Sequence, residues 1–348
     1  MNFASDNVYG VHPQIMAALA NANAATTPSY SGDGYTRKAE DKLKEVFGCD
    51  LRAFLVTTGT AANGLSLSAI TPGYGAIICH AEAHISVDEC NSPEHFTGGA
   101  KIIGLHGPGG KITPAQIEKT LKGFIRGEHD PKPKGVSLTN ATELGTVYVP
   151  SQVKAISELI RPRGMKLHMD GARFANAVAG LDVTPAELTW KSGVDVLSFG
   201  ATKNGAMMLE AVIFFDIALA EDFSYRRMRA GQLVSKSRYL GAQMLAYLEN
   251  GLWLDNARRA NRLAAKLAAG LRQFNHISIP NPVQANEVFA VMPKALYDRL
   301  QASGAKFYDW MPDSLGGIAE DAIFARFVLS FATPEEDVDA FLKLIAKT

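Results

Sequence analysis

Short apolar segments alternate with amphipathic segments of helical period through most of the chain. Buried strands are predicted at residues 54–56, 76–79, 102–103, 136–138, 165–169, 194–199 and 211–215. A helix is predicted over 61–70, stopped by Pro72, and another begins at Ser151, a good N-cap residue, and ends at Gly164. The second helix places four apolar side chains on one face: Val153, Ile156, Leu159 and Ile160. Repetition of strand and helix predicts a mostly parallel sheet covered on both faces.

The pattern changes after Gly251. A long helix is predicted there, with apolar side chains at helical spacing: Trp253, Ala257, Ala264, Leu267 and Leu271. Strand-like segments at 287–292 and 327–331 flank a helix over 294–301. The last helix is predicted to open with a capping box from Thr333 to Glu336, with Pro334 at its first position. We therefore predict a large domain of residues 1–250, which includes an N-terminal arm, and a small α+β domain of residues 251–348.

Composition and charge exclude several classes of protein. The 348 residues are 47% hydrophobic and 20% charged, and Lys plus Arg equals Asp plus Glu at 35 each. This balance gives no electrostatic basis for binding nucleic acid or an anionic membrane. Three scattered cysteines and an N-terminus without a secretory signal pattern lead us to expect a cytoplasmic protein.

Two motif-like segments do not carry the chemistry they suggest. The glycine-rich run at 107–111 fails the spacing of a nucleotide phosphate loop, so a tight surface turn is predicted there. His80 and His84 bracket Glu82, but this glutamate is one position late for a zinc helix. We therefore expect no metal site. The segment 129–134, with two prolines, is predicted to be a loop.

Three segments at predicted strand ends carry stronger candidates, although each has an ordinary structural alternative. Small residues at 58–63 join a strand to a helix, where backbone N–H groups can bind phosphate or simply form a turn. Asp170 ends a strand, where it can face a ligand crevice or cap a helix. Lys203 follows an apolar strand, a place where lysines are usually exposed turn residues.

Together the three segments favour one cofactor. Pyridoxal 5'-phosphate (PLP) requires an anion-binding turn for its phosphate, an acid facing its ring nitrogen and a lysine for its aldehyde. The chain supplies these groups in that order, from three successive strand ends.

The same segments resemble a known family. TGTAAN, HMDGARFANA and SFGATKNGA, with the opening FASDN and the late FARFVLSF, resemble the low-specificity L-threonine aldolases from about Ser5 to the C-terminus. These are PLP-dependent enzymes of fold type I (aspartate aminotransferase-like) and are close to the β-eliminating lyases. Phenylserine aldolases are also similar, since they share the HxxxDEC element seen here from His84 to Cys90.

The resemblance implies cofactor contacts at several positions. Lys203 matches the lysine that carries the cofactor, and Asp170 matches the partner of the ring nitrogen. Phosphate-binding positions fall on Gly59, Thr60 and Thr202. The full set expected to contact the cofactor is Gly59, Thr60, His84, Asp170, Arg173, Thr202, Lys203 and Arg238.

On the substrate side, the resemblance implies that Ser5, Arg173 and Arg326 hold the carboxylate. His84 matches an imidazole that stacks on the cofactor ring. It is also a candidate for the base that takes the β-hydroxyl proton, with a bound water or an ordinary structural role as alternatives. Tyr30 matches a tyrosine near the substrate.

This sequence departs from the family pattern at two places. Many relatives carry YGDD near the N-terminus, whereas this chain has Tyr30, Ser31, Gly32 and Asp33. The glycine-rich run that follows the lysine in many relatives is replaced at 204–208. The match of Arg238 to a phosphate-binding residue rests on a loose alignment.

The implied reaction is retro-aldol cleavage of L-threonine, L-allo-threonine and other β-hydroxy-α-amino acids to glycine and an aldehyde. Cleavage of phenylserine, and β-elimination or racemisation on the same fold, are the alternatives. A non-catalytic protein of this fold is a third. The family pattern implies a homodimer or homotetramer, with Tyr30 and Arg238 suited to contributing across subunits.

Overall fold

The structure of the chain is a computed structural model that describes residues 1–310 and 318–347. Within these residues, seven strands form one large sheet in the spatial order β1-β7-β6-β5-β4-β2-β3. Their bounds are β1 (Arg52–Val56), β2 (Gly75–His80), β3 (Lys101–Leu105), β4 (Lys132–Thr139), β5 (Lys166–Gly171), β6 (Val196–Gly200) and β7 (Glu210–Phe214). The sheet is parallel from β3 to β6, whereas β7 runs antiparallel to both of its neighbours.

Helices cover both faces of this sheet. The helices that precede β7 are α1 (Pro13–Ala22), α2 (Gly34–Phe47), α3 (Gly59–Ile70), α4 (His84–Val87), α5 (Ser92–Thr97), α6 (Pro114–Leu121), α7 (Pro150–Ile160), α8 (Phe174–Leu181) and α9 (Pro185–Leu188). Alternate residues of β7 belong to different cores: Ala211 and Ile213 to one, Val212 and Phe214 to the other. This alternation shows that the sheet is buried on both sides, as its apolar strands predicted.

The first of these cores contains a group of aromatic rings. Phe174 lies 5.9 Å from Phe199 and 6.5 Å from Trp253, measured between ring centroids, and Phe47 packs against both phenylalanines. All four side chains are buried. Burying one such ring stabilises the fold by about 1.5–3 kcal/mol. The group fixes the carboxyl ends of β5 and β6, where the candidate residues lie.

A second, smaller sheet follows in the chain. The later helices are α10 (Phe223–Arg229), α11 (Arg238–Leu248), α12 (Leu252–Leu271), α13 (Lys294–Ala302) and α14 (Glu335–Ala346). Strands β8 (Glu287–Pro293), β9 (Tyr308–Asp309) and β10 (Ala322–Val328) form an antiparallel sheet in the order β8-β10-β9. Phe3 packs into its core, and its carbonyl accepts a 2.8 Å hydrogen bond from Val328 N–H. The domain division at residues 250 and 251 stays a prediction.

Two predicted helix starts were wrong. α7 begins at Pro150 with Val149 as its N-cap, and the Gln152 side chain accepts the Val149 N–H at 3.1 Å, so Ser151 lies inside the helix. Pro334 is the N-cap of α14 rather than its first residue. The expected capping box is not formed, because the Thr333 hydroxyl instead accepts the Ser330 N–H at 2.9 Å.

The predicted loop at 129–134 was partly wrong, since β4 already begins at Lys132. The glycine-rich run forms a single 3-10 turn over Pro108–Gly110. Among the described helices, none is long and apolar enough to cross a membrane.

Candidate active site

A cleft of about 500 Å³ opens at the carboxyl ends of the parallel strands. The three segments singled out in the sequence meet there: the turn at Gly59 and Thr60 after β1, Asp170 in β5, and Lys203 after β6. Ligands bind at this edge in open α/β sheets, because loops and helix N-termini from several strands converge on it. The arrangement is therefore that of a ligand site.

The N-terminus of α3 offers unpaired donors to this cleft. Thr58 caps the helix, and its hydroxyl accepts the Ala61 N–H at 3.2 Å. The N–H groups of Gly59 and Thr60 have no acceptor within the described part of the chain. The position of a Cβ on Gly59 faces open space. Such a helix end attracts an anion by hydrogen bonding and by the helix dipole.

Lys203 lies in a 3-10 turn directly after β6. Its amine makes no hydrogen bond or ion pair with any described residue. Burial and the nearby Arg173 guanidinium lower the pKa of Lys203. A lysine whose amine is more readily deprotonated is a better nucleophile toward a carbonyl carbon. Thr202 beside it is held by its own loop, because its hydroxyl accepts the Leu209 N–H at 2.9 Å.

A buried hydrogen-bonded chain connects Asp170 to His84. The Asn63 amide donates to Asp170 Oδ2 at 2.7 Å and to Glu89 Oε1 at 2.8 Å. The same Glu89 oxygen lies 2.7 Å from His84 Nδ1. The hydrogen bond with Glu89 raises the pKa of His84 despite burial of the ring. These hydrogen bonds therefore stabilise the imidazolium form of His84 and fix one oxygen of Asp170.

Two further carboxyl groups line the cleft, Glu143 and Glu210. Burial, reinforced by the charge of Asp170, raises the pKa of each to about 7. Glu143 Oε1 accepts hydrogen bonds from His84 N and from Thr139 Oγ1, both at 2.8 Å. Glu210 Oε2 accepts the Ala201 N–H at 3.2 Å. Burial thus favours the protonated form of both groups more than water does.

Arg173 is already paired within the protein. Its Nε and Nη2 donate to the two carboxylate oxygens of Asp6 at 2.8 and 3.1 Å, and its Nη1 lies 3.5 Å from Glu287. Glu287 also accepts from Arg326 Nε at 3.1 Å. Burial opposes the charge of Arg173, but Asp6 and Glu287 outweigh this effect and raise its pKa. Acidic and basic side chains alternate in this group, which links the N-terminal segment to the start of α8 and to the small sheet.

Several residues carried over from the family lie away from the cleft lining. Ser5 caps the 3-10 turn Asp6–Val8, and its hydroxyl accepts the Asn7 N–H at 3.1 Å. Arg326 stacks over Trp310, with 4.5 Å between the guanidinium carbon and the ring centroid. Tyr30 is 56% exposed, and Arg238 donates to the carbonyls of Ala22 and Ala25. Tyr30 and Arg238 therefore do not reach the cleft of their own chain.

Three polar residues of the site lie outside every motif noted in the sequence: Glu143, Glu210 and Glu287. Asp6 and Asn63 lie inside FASDN and TGTAAN but received no role of their own. Glu89 lies inside the HxxxDEC element but received no role of its own. His80, considered for zinc, has both ring nitrogens engaged, by Glu82 N and by Gly107. Within residues 1–310 and 318–347, no group of three or more His, Cys, Asp or Glu side chains is placed to hold a metal ion.

Known proteins resemble this chain over most of its length. Residues 2–295 match the family described as Beta-eliminating lyase. Low specificity L-threonine aldolases from Pseudomonas sp. (strain NCIMB 10558) and Pseudomonas aeruginosa are each 44% identical over 337 residues, covering 97% of this chain and 94% of theirs.

Solved structures confirm the predicted fold type I. The threonine aldolase of Leishmania major superposes with a TM-score of 0.92 at 28% identity, covering 99% of this chain and 98% of that one. Oryza sativa TDC, solved with PLP, shares the fold at 15% identity, with a TM-score of 0.75 over 99% of this chain and 82% of that one. The chain belongs to the beta-eliminating lyase family and, within it, to the low-specificity L-threonine aldolases.

Proposed function

We propose that this protein cleaves L-threonine, L-allo-threonine and other β-hydroxy-α-amino acids to glycine and an aldehyde, with PLP as cofactor. The observation that carries the proposal is the free, partly buried amine of Lys203, which shares one cleft with Asp170 and the α3 N-terminus. The 44% identity to low specificity L-threonine aldolases supports the choice of reaction.

The residues present fit the cofactor. The unpaired N–H groups of Gly59 and Thr60 suit its phosphate, with Thr202 close by. The Asp170 carboxylate suits its ring nitrogen, and Lys203 suits its aldehyde. When bound, PLP supplies an electron sink for the bond that breaks at the substrate Cα. His84, fixed by Glu89, suits the flat face of the ring.

For the substrate carboxylate, Arg173 is the group best placed, because it lines the cleft and keeps its charge when buried. Asp6 holds the Arg173 guanidinium from one edge. Arg326 lies outside the cleft lining and supports Arg173 through Glu287. We assign Ser5 to the same end of the site, since its neighbour Asp6 contacts Arg173. These contacts orient Cα so that the Cα–Cβ bond can break.

Tyr30 and Arg238 fit a role across a subunit interface, and we propose a homodimer or homotetramer. Both lie outside their own cleft, and an apolar groove of about 500 Å³ that includes Met207, Met208 and Tyr239 adjoins it. Light scattering coupled to size-exclusion chromatography tests the assembly. The cytoplasmic location and the domain division at residue 250 remain proposals alongside it.

The reaction is tested by incubating the protein with L-threonine and measuring acetaldehyde and glycine. We expect both products in equal amounts and, for Lys203→Ala, a loss of at least about 100-fold in rate. L-allo-threonine and phenylserine assayed in parallel rank the substrates. Pyruvate or 2-oxobutyrate in place of acetaldehyde would indicate elimination, and full activity of Lys203→Ala would refute the assignment.

A further inference from the structure

Retro-aldol cleavage needs a group that removes the proton of the substrate β-hydroxyl. Such a group must line the cleft and keep an acceptor atom free of other hydrogen bonds. Few side chains of the cleft meet both conditions. The hydrogen bonds that each candidate makes show which one does.

Glu143 meets both. It follows β4 by four residues and lines the cleft. Its Oε1 is fixed by His84 N and Thr139 Oγ1, each at 2.8 Å, so the carboxyl plane is held. Its Oε2 is buried and has no partner in the described structure. A buried carboxyl oxygen without a partner is costly. Glu143 lines the cleft, so a substrate bound there can supply the contact that its Oε2 lacks.

The other acids of the cleft accept hydrogen bonds from their own surroundings. Asp170 accepts from Asn63 with one oxygen and from Ala172 N with the other. Glu210 accepts the Ala201 N–H with Oε2 and also interacts with the Thr202 hydroxyl. Glu89 also has a free oxygen, but Glu89 does not line the cleft.

His84 is a weaker candidate for the base. Its Nδ1 is engaged by Glu89 at 2.7 Å, and that contact raises the pKa of the imidazole, so its proton-bearing form is favoured. An imidazolium donates protons and does not accept them. His84 can still stack on the cofactor and hold Glu143 through its backbone N–H.

Burial brings the pKa of the Glu143 carboxyl toward neutral pH. Burial raises its pKa to about 7 with the help of Asp170, and the hydrogen bonds from His84 N and Thr139 oppose this. The titratable and charged groups that interact with it are Asp170, His84, Arg173, Cys79 and Tyr148. A base whose pKa lies near the working pH accepts and returns a proton most efficiently.

We propose that Glu143 is the catalytic base that takes the β-hydroxyl proton, a role that rests on the proposed aldolase function. The hydroxyl proton passes to Glu143 Oε2, and the electron pair of the O–H bond forms the aldehyde C=O. The Cα–Cβ bond breaks, and its electron pair stays with Cα. Cα then takes up a proton to give glycine. No oxidant or further reactant is needed.

The test compares two reactions of the holoenzyme with and without Glu143→Gln. Glutamine keeps an oxygen that can accept from His84 N and Thr139, but it cannot take a proton. Cleavage of L-threonine needs the β-hydroxyl proton removed, whereas exchange of a glycine α-proton in D2O does not. We expect cleavage to fall by about 100-fold or more, and glycine exchange to stay within about threefold of wild type.

A matched control is Glu94→Gln. Glu94 also has a buried, unpartnered carboxyl oxygen, but it lies in α5 outside the cleft lining. We expect this variant to keep both reactions. In both variants, the absorption spectrum of bound PLP and its dissociation constant should match wild type. In wild type, kcat/KM for cleavage should rise with pH through about 7, and Glu143→Gln should lose this rise.

Several results would overturn the proposal. If Glu143→Gln still cleaves L-threonine at the wild-type rate, Glu143 is not the catalytic base. Equal loss of both reactions, or a changed cofactor spectrum, would place Glu143 at the cofactor instead. A wild-type enzyme that exchanges glycine but does not cleave threonine would refute the aldolase function itself, which is a distinct outcome. Cleavage abolished in His84→Asn but kept in Glu143→Gln would assign the base to His84.

Discussion

Asp6 binds one edge of the Arg173 guanidinium with two hydrogen bonds of 2.8 and 3.1 Å, and the two side chains are only 1% and 9% exposed, respectively. The N-terminal segment thus contributes directly to the site, 167 residues before the arginine it holds. Paired, planar contacts of this kind fix orientation as well as charge. Asp6 can have one of two roles. It either positions Arg173 for the substrate carboxylate or competes with that carboxylate for Arg173, and the two roles predict opposite changes in KM.

The first prediction decides between them with Asp6→Asn. If Asp6 positions Arg173, loss of one charge-assisted bond should raise KM for L-threonine by about tenfold, equivalent to about 1.4 kcal/mol, and change kcat less. A fall in KM would instead show competition. Asp337→Asn is the control, because Asp337 forms a 3.9 Å ion pair with the N-terminal amine, away from the cleft lining. Steady-state kinetics of both variants provide the measurement.

The second prediction concerns Asn63, whose single amide nitrogen bridges Asp170 and Glu89. Asn63→Asp replaces that donor with an oxygen and places three carboxyl groups together. We expect a loss of about 3 kcal/mol in the free energy of unfolding near pH 8, partly restored near pH 5 as carboxylates protonate. Urea unfolding at both pH values measures this change.

Asn281→Asp is the matched control for Asn63, since Asn281 only donates a 3.5 Å hydrogen bond to the Leu144 carbonyl. We expect it to change stability little at either pH. Equal losses of unfolding free energy in the two variants would show that the bridge between Asp170 and Glu89 contributes no more than an ordinary hydrogen bond.

The third prediction is a gain of stability from removing a native acid. The pKa of Glu210 is raised from 4.5 to about 7 in the folded protein, chiefly by burial. Between those pH values the folded state keeps a proton that the unfolded state has lost, so this group makes stability fall as pH rises. Glu210→Gln should therefore be more stable than wild type by roughly 1–3 kcal/mol near pH 8 and differ little near pH 5.

Thermal unfolding of the cofactor-free protein at the two pH values tests the Glu210 prediction. Glu158→Gln, at an exposed position on α7, should show no such pH-dependent difference. A Glu210→Gln variant that is less stable than wild type near pH 8 would contradict the raised pKa.

The sequence was sufficient to locate Lys203, Asp170 and the α3 N-terminus, because each follows an apolar strand and the ends of parallel strands meet at one edge. The length of one connection in the sequence also indicates that β7 is antiparallel to β6. Only nine residues separate β6 from β7, fewer than a parallel crossover needs. Pro150 was a similar signal for the start of α7, since proline favours the first helical position.

The acidic residues of the site could not be found in this way. Glu143 and Glu210 look in the sequence like any loop or strand-edge glutamate, and their raised pKa values come from burial by segments distant in the chain. Asn63 lies one helical turn inside α3, and only the fold shows that its amide meets two carboxylates. Tertiary packing creates these properties, and no local pattern encodes them.

The reversed strand β7 also sets an order of events during synthesis. Glu210 pairs with Val56 on one side and with Gly200 on the other. β7 therefore lies between β1, which leads to Gly59, and β6, which leads to Lys203. These two halves of the cleft are joined only when β7 inserts. A nascent chain that ends before Phe214 therefore lacks a complete cleft, and about three-fifths of the polypeptide must be synthesised before the enzyme can capture its cofactor.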